Sequence, residues 1–112
     1  MPYTINGSVA SGLDEPIVVD NTTFVPIAKV AEMLGGYVTF DNMTKVATIE
    51  LGSKKARVQA DDPEVEVDGA METLQAAPYI EGNSMWVPVR FFSNLMGVSL
   101  SVDGDNITLS SL

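Results

Sequence analysis

Apolar residues recur at every second position through most of this chain and fall into a helical period in two short stretches. Tyr3–Asn6 and Ser8–Ser11 read as paired strands, because Asn6-Gly7 is a strong hairpin turn. After a loose stretch at 12–15, Pro16–Val19 and Thr22–Val25 form a second hairpin about Asp20-Asn21. The period then changes. Ile27, Val30, Ala31 and Leu34 stand at i, i+3, i+4 and i+7, one face of a helix. Pro26 suits the first helical position, where a missing N–H costs nothing, and Gly35-Gly36 suits the end. A helix over Pro26–Leu34 is too short to hold in water without packing on the strands. Tyr37–Asp41 alternates again, and Asn42-Met43-Thr44 turns the chain. Val46–Leu51 and Lys54–Ala60 make a hairpin across Gly52-Ser53. Asp61-Asp62-Pro63 breaks the run and is expected to mark a seam between two halves.

The rest of the chain repeats this plan. An offset of 62 positions lays residues 3–41 on 65–103 without a gap, carrying Asn21 onto Asn83 and Phe24-Val25-Pro26 onto Trp86-Val87-Pro88. Seven of the 39 aligned positions are identical, and all but one valine are Gly, Pro, Asn or Asp. Such residues punctuate the backbone, so the halves are expected to share a chain path. The second half predicts strands at Val65–Val67, Ala70–Glu72, Tyr79–Glu81 and Ser84–Val87. It then predicts a helix over Pro88–Met96, with Val89, Phe92 and Met96 inward, and strands at Val98–Val102 and Ile107–Ser110. The fold class is α+β: mainly antiparallel β-sheet with two short helices, built by internal duplication. A single domain over residues 1–112 is expected, with one repeat at about 3–60 and the other at about 65–112.

Composition narrows the function. With 15 acidic and 6 basic residues the chain carries a formal charge of −9. That argues against nucleic acid, whose binding relies on cations meeting phosphates, and against anionic membrane surfaces. No apolar run nears the ~20 residues that span a bilayer, and no signal-peptide pattern is visible. Met1-Pro2 is consistent with a native start or with one placed after a removed leader. There is no cysteine and no histidine. Thiolate chemistry, zinc-thiolate sites, the commonest general base and the commonest transition-metal ligand are all missing.

Val87-Pro88-Val89-Arg90, Leu95-Met96-Gly97 and Val102-Asp103 form a motif. It returns as Val25-Pro26-Ile27, Met33-Leu34-Gly35 and Phe40-Asp41. The pattern resembles the copper amine oxidase N-terminal domain family, the stalk domains, over nearly the whole chain. The resemblance implies a non-catalytic extracellular or cell-surface module of the kind frequent in Gram-positive-type bacteria, attached to other wall or secreted domains. It implies structural roles for Val25, Pro26, Gly35, Asp41, Val87, Pro88, Arg90, Gly97 and Asp103. The oxidases hold copper and quinone in a different domain, so that chemistry does not transfer. The first copy departs from the motif, with Ala28 in place of the arginine.

Arg90 reads as an ion-pair partner of Asp103 or Glu81 that ties helix to sheet, in preference to a ligand-binding guanidinium. Glu64, Glu66 and Asp68 alternate with valines along one strand face. With Asp103 and Asp105 they are the calcium candidates, set against the simpler readings of a wet strand face and a tight turn. Trp86, Tyr79, Tyr37 and Tyr3 are candidate sugar-stacking aromatics. Trp86 matches Phe24 and reads as core, leaving Tyr37 and Tyr79 as the exposed binding surface. Met85 is expected to face outward, and Met33, Met43, Met71 and Met96 to fill core gaps.

These readings predict a spacer, stalk or assembly unit, joined to other chains or adjacent domains through free strands near Tyr3 and Ile107. The alternative is a module that binds carbohydrate or cell-wall polymer. No cofactor is expected beyond candidate Ca2+.

Overall fold

Turn chemistry sets the strands in register. The computed structural model describes residues 3–10, 12, 15–103 and 106–111. At Asn6-Gly7, Asp20-Asn21 and Asp68-Gly69 both central residues have positive φ (52° and 83°, 51° and 66°, 50° and 88°). That twist suits two-residue hairpins, and Asn and Asp tolerate it better than other side chains. The first two turns join β1 (Tyr3–Ile5) to β2 (Ser8–Ala10) and β3 (Ile17–Val19) to β4 (Thr22–Pro26). Helix α1 (Ile27–Met33) leads to β5 (Tyr37–Asp41), β6 (Val46–Leu51) and β7 (Lys54–Gln59). The second half gives β8 (Glu64–Val67), β9 (Ala70–Thr73), β10 (Tyr79–Glu81) and β11 (Ser84–Pro88). It ends with α2 (Arg90–Leu95), β12 (Val98–Asp103) and β13 (Asn106–Ser111).

The strands form three sheets. A large sheet has the order β5-β6-β7-β8-β9, a central one β10-β11-β4-β3 and a closing one β12-β13-β1-β2. Every pairing is antiparallel except β1 with β13. The halves interleave. The β8–β9 hairpin completes the sheet begun by β5–β7, and the β1–β2 hairpin completes the sheet of β12 and β13. The expected seam at Asp61-Asp62-Pro63 is therefore absent. Those residues lead β7 into β8 within one sheet, where Ala56 faces Val67. In the central sheet the repeated motifs pair with each other: Val25 faces Val87, Trp86 faces Pro26 and Pro88 faces Phe24. This register is symmetric about the valine pair, and both valines are fully buried.

Both helices start later than the spacing predicts. Pro26 has φ −73° and ψ 119°, so it is the last extended residue of β4 and the cap of α1. Pro88 likewise ends β11, and α2 begins at Arg90. Each proline is held in the sheet by its cross-strand neighbour, which fixes the backbone as extended. Gly35 and Gly97, with φ of 96° and 72°, close the helices in the left-handed region. After α1 the Gly36 N–H bonds the Ala31 carbonyl at 2.9 Å and the Gly35 N–H bonds Glu32 at 3.1 Å, satisfying the last turn.

Val30 and Ala31 point from α1 into the core, and Phe91 and Phe92 from α2, their rings 5.2 Å apart and edge-on. Phe91 escaped the helical spacing, which placed only Val89, Phe92 and Met96 inward. The opposite face of the central sheet is also covered. Phe24, Pro26, Trp86 and Pro88 share it by register and are all buried. Thr22 is buried there too and accepts a 2.8 Å hydrogen bond from Gln75 Nε2. Both faces are covered at β4 and β11, the middle strands of this sheet, so Met85 is buried, against expectation. Met96 is buried as expected, whereas Met33, Met43 and Met71 are exposed and fill no core gap.

Candidate functional site

The acidic row on β8 is tied down by basic neighbours on β7. Glu66 lies 3.8 Å from Arg57, and Asp68 lies 3.8 Å from Lys54. Asp68 Oδ1 also accepts the Lys55 N–H at 2.9 Å. Glu64 is exposed, and its N–H is bound by Asp62 Oδ1 at 2.9 Å. Asp103 ends β12 in the closing sheet, far along the topology from β8, and Asp105 lies outside the described residues. Among the described residues no three acidic side chains converge as metal ligands would.

The repeated motif residues occupy matching places. Asp41 and Asp103 each end the strand that follows a helix. Asp41 Oδ1 accepts the Met43 N–H at 2.8 Å and the Thr44 N–H at 3.3 Å. These bonds, Met43 first, hold its carboxyl below the ordinary value of 3.8. Arg90 is the first residue of α2 and exposed. Among the described residues it forms no salt bridge to Asp103 or Glu81, against expectation. It borders a hollow with Glu72, Thr73, Gln75 and Asn94 instead.

The aromatic surface divides. Tyr37 is exposed on β5, in the large sheet. Tyr79, on β10 of the central sheet, is half-buried with its ring edge-on to Phe24 at 5.0 Å. Burial, then the Glu81 charge, pushes its phenol pKa above 10.0. Tyr3 and Trp86 are core, and the buried Trp86 Nε1–H has no hydrogen-bond partner among the described residues. Leaving such a donor bare costs roughly 1–3 kcal/mol. The four aromatics thus form no common platform.

A cleft of about 500 Å³ lies between the start of α1, the β5–β6 hairpin and the β10–β11 hairpin. Ala28, Lys29, Phe40, Lys45, Ile80 and Asn83 are among its lining residues, and no carboxylate is. Ala28 stands where the other half has Arg90, and its methyl leaves the space open. Neither Tyr37 nor Tyr79 reaches this cleft. Ammonium, amide and apolar groups can hold a ligand there, and among the described residues no acid lines it.

The sheet edges carry the feature that sequence reasoning misplaced. β1 and β13, expected as free edges, are interior strands paired with each other, with Tyr3 and Ile107 buried. The edges are β2, β3, β5, β9, β10 and β12. Each carries an exposed apolar residue: Val9, Val18, Tyr37 and Phe40, Met71, Ile80 and Val102. Alternation in the sequence marked these residues as strand positions, but only the pairing order shows which strands lack a neighbour. No described helix is long and apolar enough to cross a membrane.

Comparison with known proteins gives a relative and a family. A protein named "Protease inhibitor" from Brevibacillus choshinensis is 27% identical over 88 residues, 79% of this chain. The match spans 27% of that protein's length. The copper amine oxidase N-terminal domain family matches residues 4–111, both hairpin–helix motifs included, and the chain belongs to that family.

Proposed function

We propose that this chain is a non-catalytic extracellular or cell-surface module, a stalk or spacer unit that joins other chains or adjacent domains through its sheet edges. The observation that carries the reading is the apolar side chain exposed on each of the six edge strands among the described residues. Unpaired N–H and C=O groups beside an apolar side chain form a template for a strand from a neighbour. Family membership supports a non-catalytic role, since the N-terminal domain of copper amine oxidases is not the catalytic one. Copper has no place in the proposal, because the chain has no histidine to ligate it. We read the two halves as an internal duplication, supported by the matching hairpins and by the symmetric Val25–Val87 register.

Light scattering over a concentration series tests the assembly reading. Mass is expected to rise with concentration, and Val18→Lys with Met71→Lys is expected to lower it. A strict monomer at the highest concentration removes self-assembly. Wall-polymer binding is a second reading, favoured by the exposed Tyr37 and open to a peptidoglycan pull-down with Tyr37→Ala. Protease inhibition rests on the likeness to the Brevibacillus protein. Protease activity unchanged by a large excess of this chain removes it.

A further inference from the structure

We propose that the β1·β13 pair is a mechanical clamp that lets this domain carry tension along the polypeptide. The two strands lie side by side and run the same way: Tyr3 faces Ile107, Thr4 faces Thr108 and Ile5 faces Leu109. A pull toward the N-terminal side of Tyr3 and the C-terminal side of Ser111 therefore acts along the strands, in opposite senses. Inter-strand hydrogen bonds lie across that direction, so the load shears all of them together and none can open first. A hairpin pulled from its open end opens one bond at a time.

Two further features strengthen the pair. Asn6 extends the ladder by one residue: its N–H bonds the Leu109 carbonyl at 2.8 Å. Its Oδ1 accepts the Ser111 N–H at 2.8 Å and the Ser111 hydroxyl at 3.1 Å. Sliding is also opposed by the core. Tyr3, Ile5, Ile107 and Leu109 are all buried, and a slip of one residue would turn the inward set of one strand outward. β13 is held on its other side by six register pairs to β12, which makes it the fixed wall of the clamp.

The clamp deepens the spacer reading and rests on it for its biological use, yet it is a property of the fold that can be measured alone. The chain has no cysteine, so engineered thiols give clean single-molecule handles. Handles before Tyr3 and after Ser111 load β1·β13 in shear. Handles at Ser99 and after Ser111 unzip β12·β13 from its open end, because Val98 faces Ser111. The rupture force is expected to be several-fold higher in the first geometry at one loading rate. Asn6→Gly keeps the positive φ of the turn and removes the Ser111 acceptor. It is expected to lower the shear force and leave the unzipping force unchanged. Equal forces in the two geometries, or a shear force indifferent to Asn6→Gly, would overturn the clamp. Failure of the light-scattering experiment would remove self-assembly and leave the clamp standing.

Discussion

The large sheet and the closing sheet are assembled from matching parts and differ by one strand. In the large sheet β7 stands between β6 and β8, antiparallel to both, so β6 and β8 run in the same direction. In the closing sheet nothing stands between β13 and β1, and they too run in the same direction, in direct contact. Taking β7 out of the first arrangement gives the second. The only parallel pairing in the described fold thus follows from a missing strand, with every other strand direction kept. Side-chain size follows the same difference. The third place in the large sheet holds Ala56 and Val58, and the third place in the closing sheet holds the bulkier Tyr3 and Ile5, all buried.

The helices differ in the same spirit, and this gives the largest predicted effect. Val30 of α1 and Phe92 of α2 each stand five residues after the matching Val25 and Val87, and they are equally buried. Phe92→Ala should cost about 3–5 kcal/mol in denaturant unfolding, since a ring-sized cavity remains. Val30→Ala should cost roughly 2 kcal/mol. Equal losses would break the comparison. Next is Gly36, matched by Val98 in the second half. A Cβ on Gly36 would collide with the Glu50 carbonyl on β6. Gly36→Ala should therefore destabilise by about 1–3 kcal/mol through overpacking, visible as a lower denaturation midpoint. A neutral result would mean that the segment after α1 can shift away from β6 at no cost.

Asp41 sharpens the comparison through pH. Its folded-state carboxyl titrates below 3.8, the ordinary value, because the Met43 and Thr44 N–H groups favour the charged form. The stability it adds is present above 3.8 and is lost as the pH falls through the depressed folded value. Thermal melts of Asp41→Ala should fall less steeply with acid than those of the parent chain below that pH. An unchanged acid slope would show that the turn contributes nothing. The smallest effect is expected at Ala28. Ala28→Arg restores the motif residue and should alter stability by no more than about 0.5 kcal/mol, because the site faces an open cleft. A large loss would show that the cleft beside Ala28 has no room for the side chain that the other half carries at Arg90.

The sequence made local structure legible and long-range pairing illegible. Asn6-Gly7, Asp20-Asn21 and Asp68-Gly69 announced their hairpins, since few residues accept positive φ. The repeat announced that α1 and α2 would follow equivalent strands. Nothing local announced that each opening hairpin joins the sheet of the other half, because partner choice depends on residues far apart in the chain. Strand alternation also misled at Met85, since a strand buried on both faces has no polar side to display. Arg90 misled for a different reason: opposite charges nearby in the pattern were assumed to meet, and the start of α2 turns the arginine outward.

The pairing of Tyr3 with Ile107 also sets the order of events during synthesis. Within this domain β1 is made before β13, so most of the domain must emerge before β1 meets its parallel partner. Until then the β1–β2 hairpin carries Tyr3 and Ile5 without the neighbour that buries them in the finished fold. Contacts this distant in sequence are expected to form late, so the β1–β2 hairpin is the part of the domain that most needs shelter while it folds.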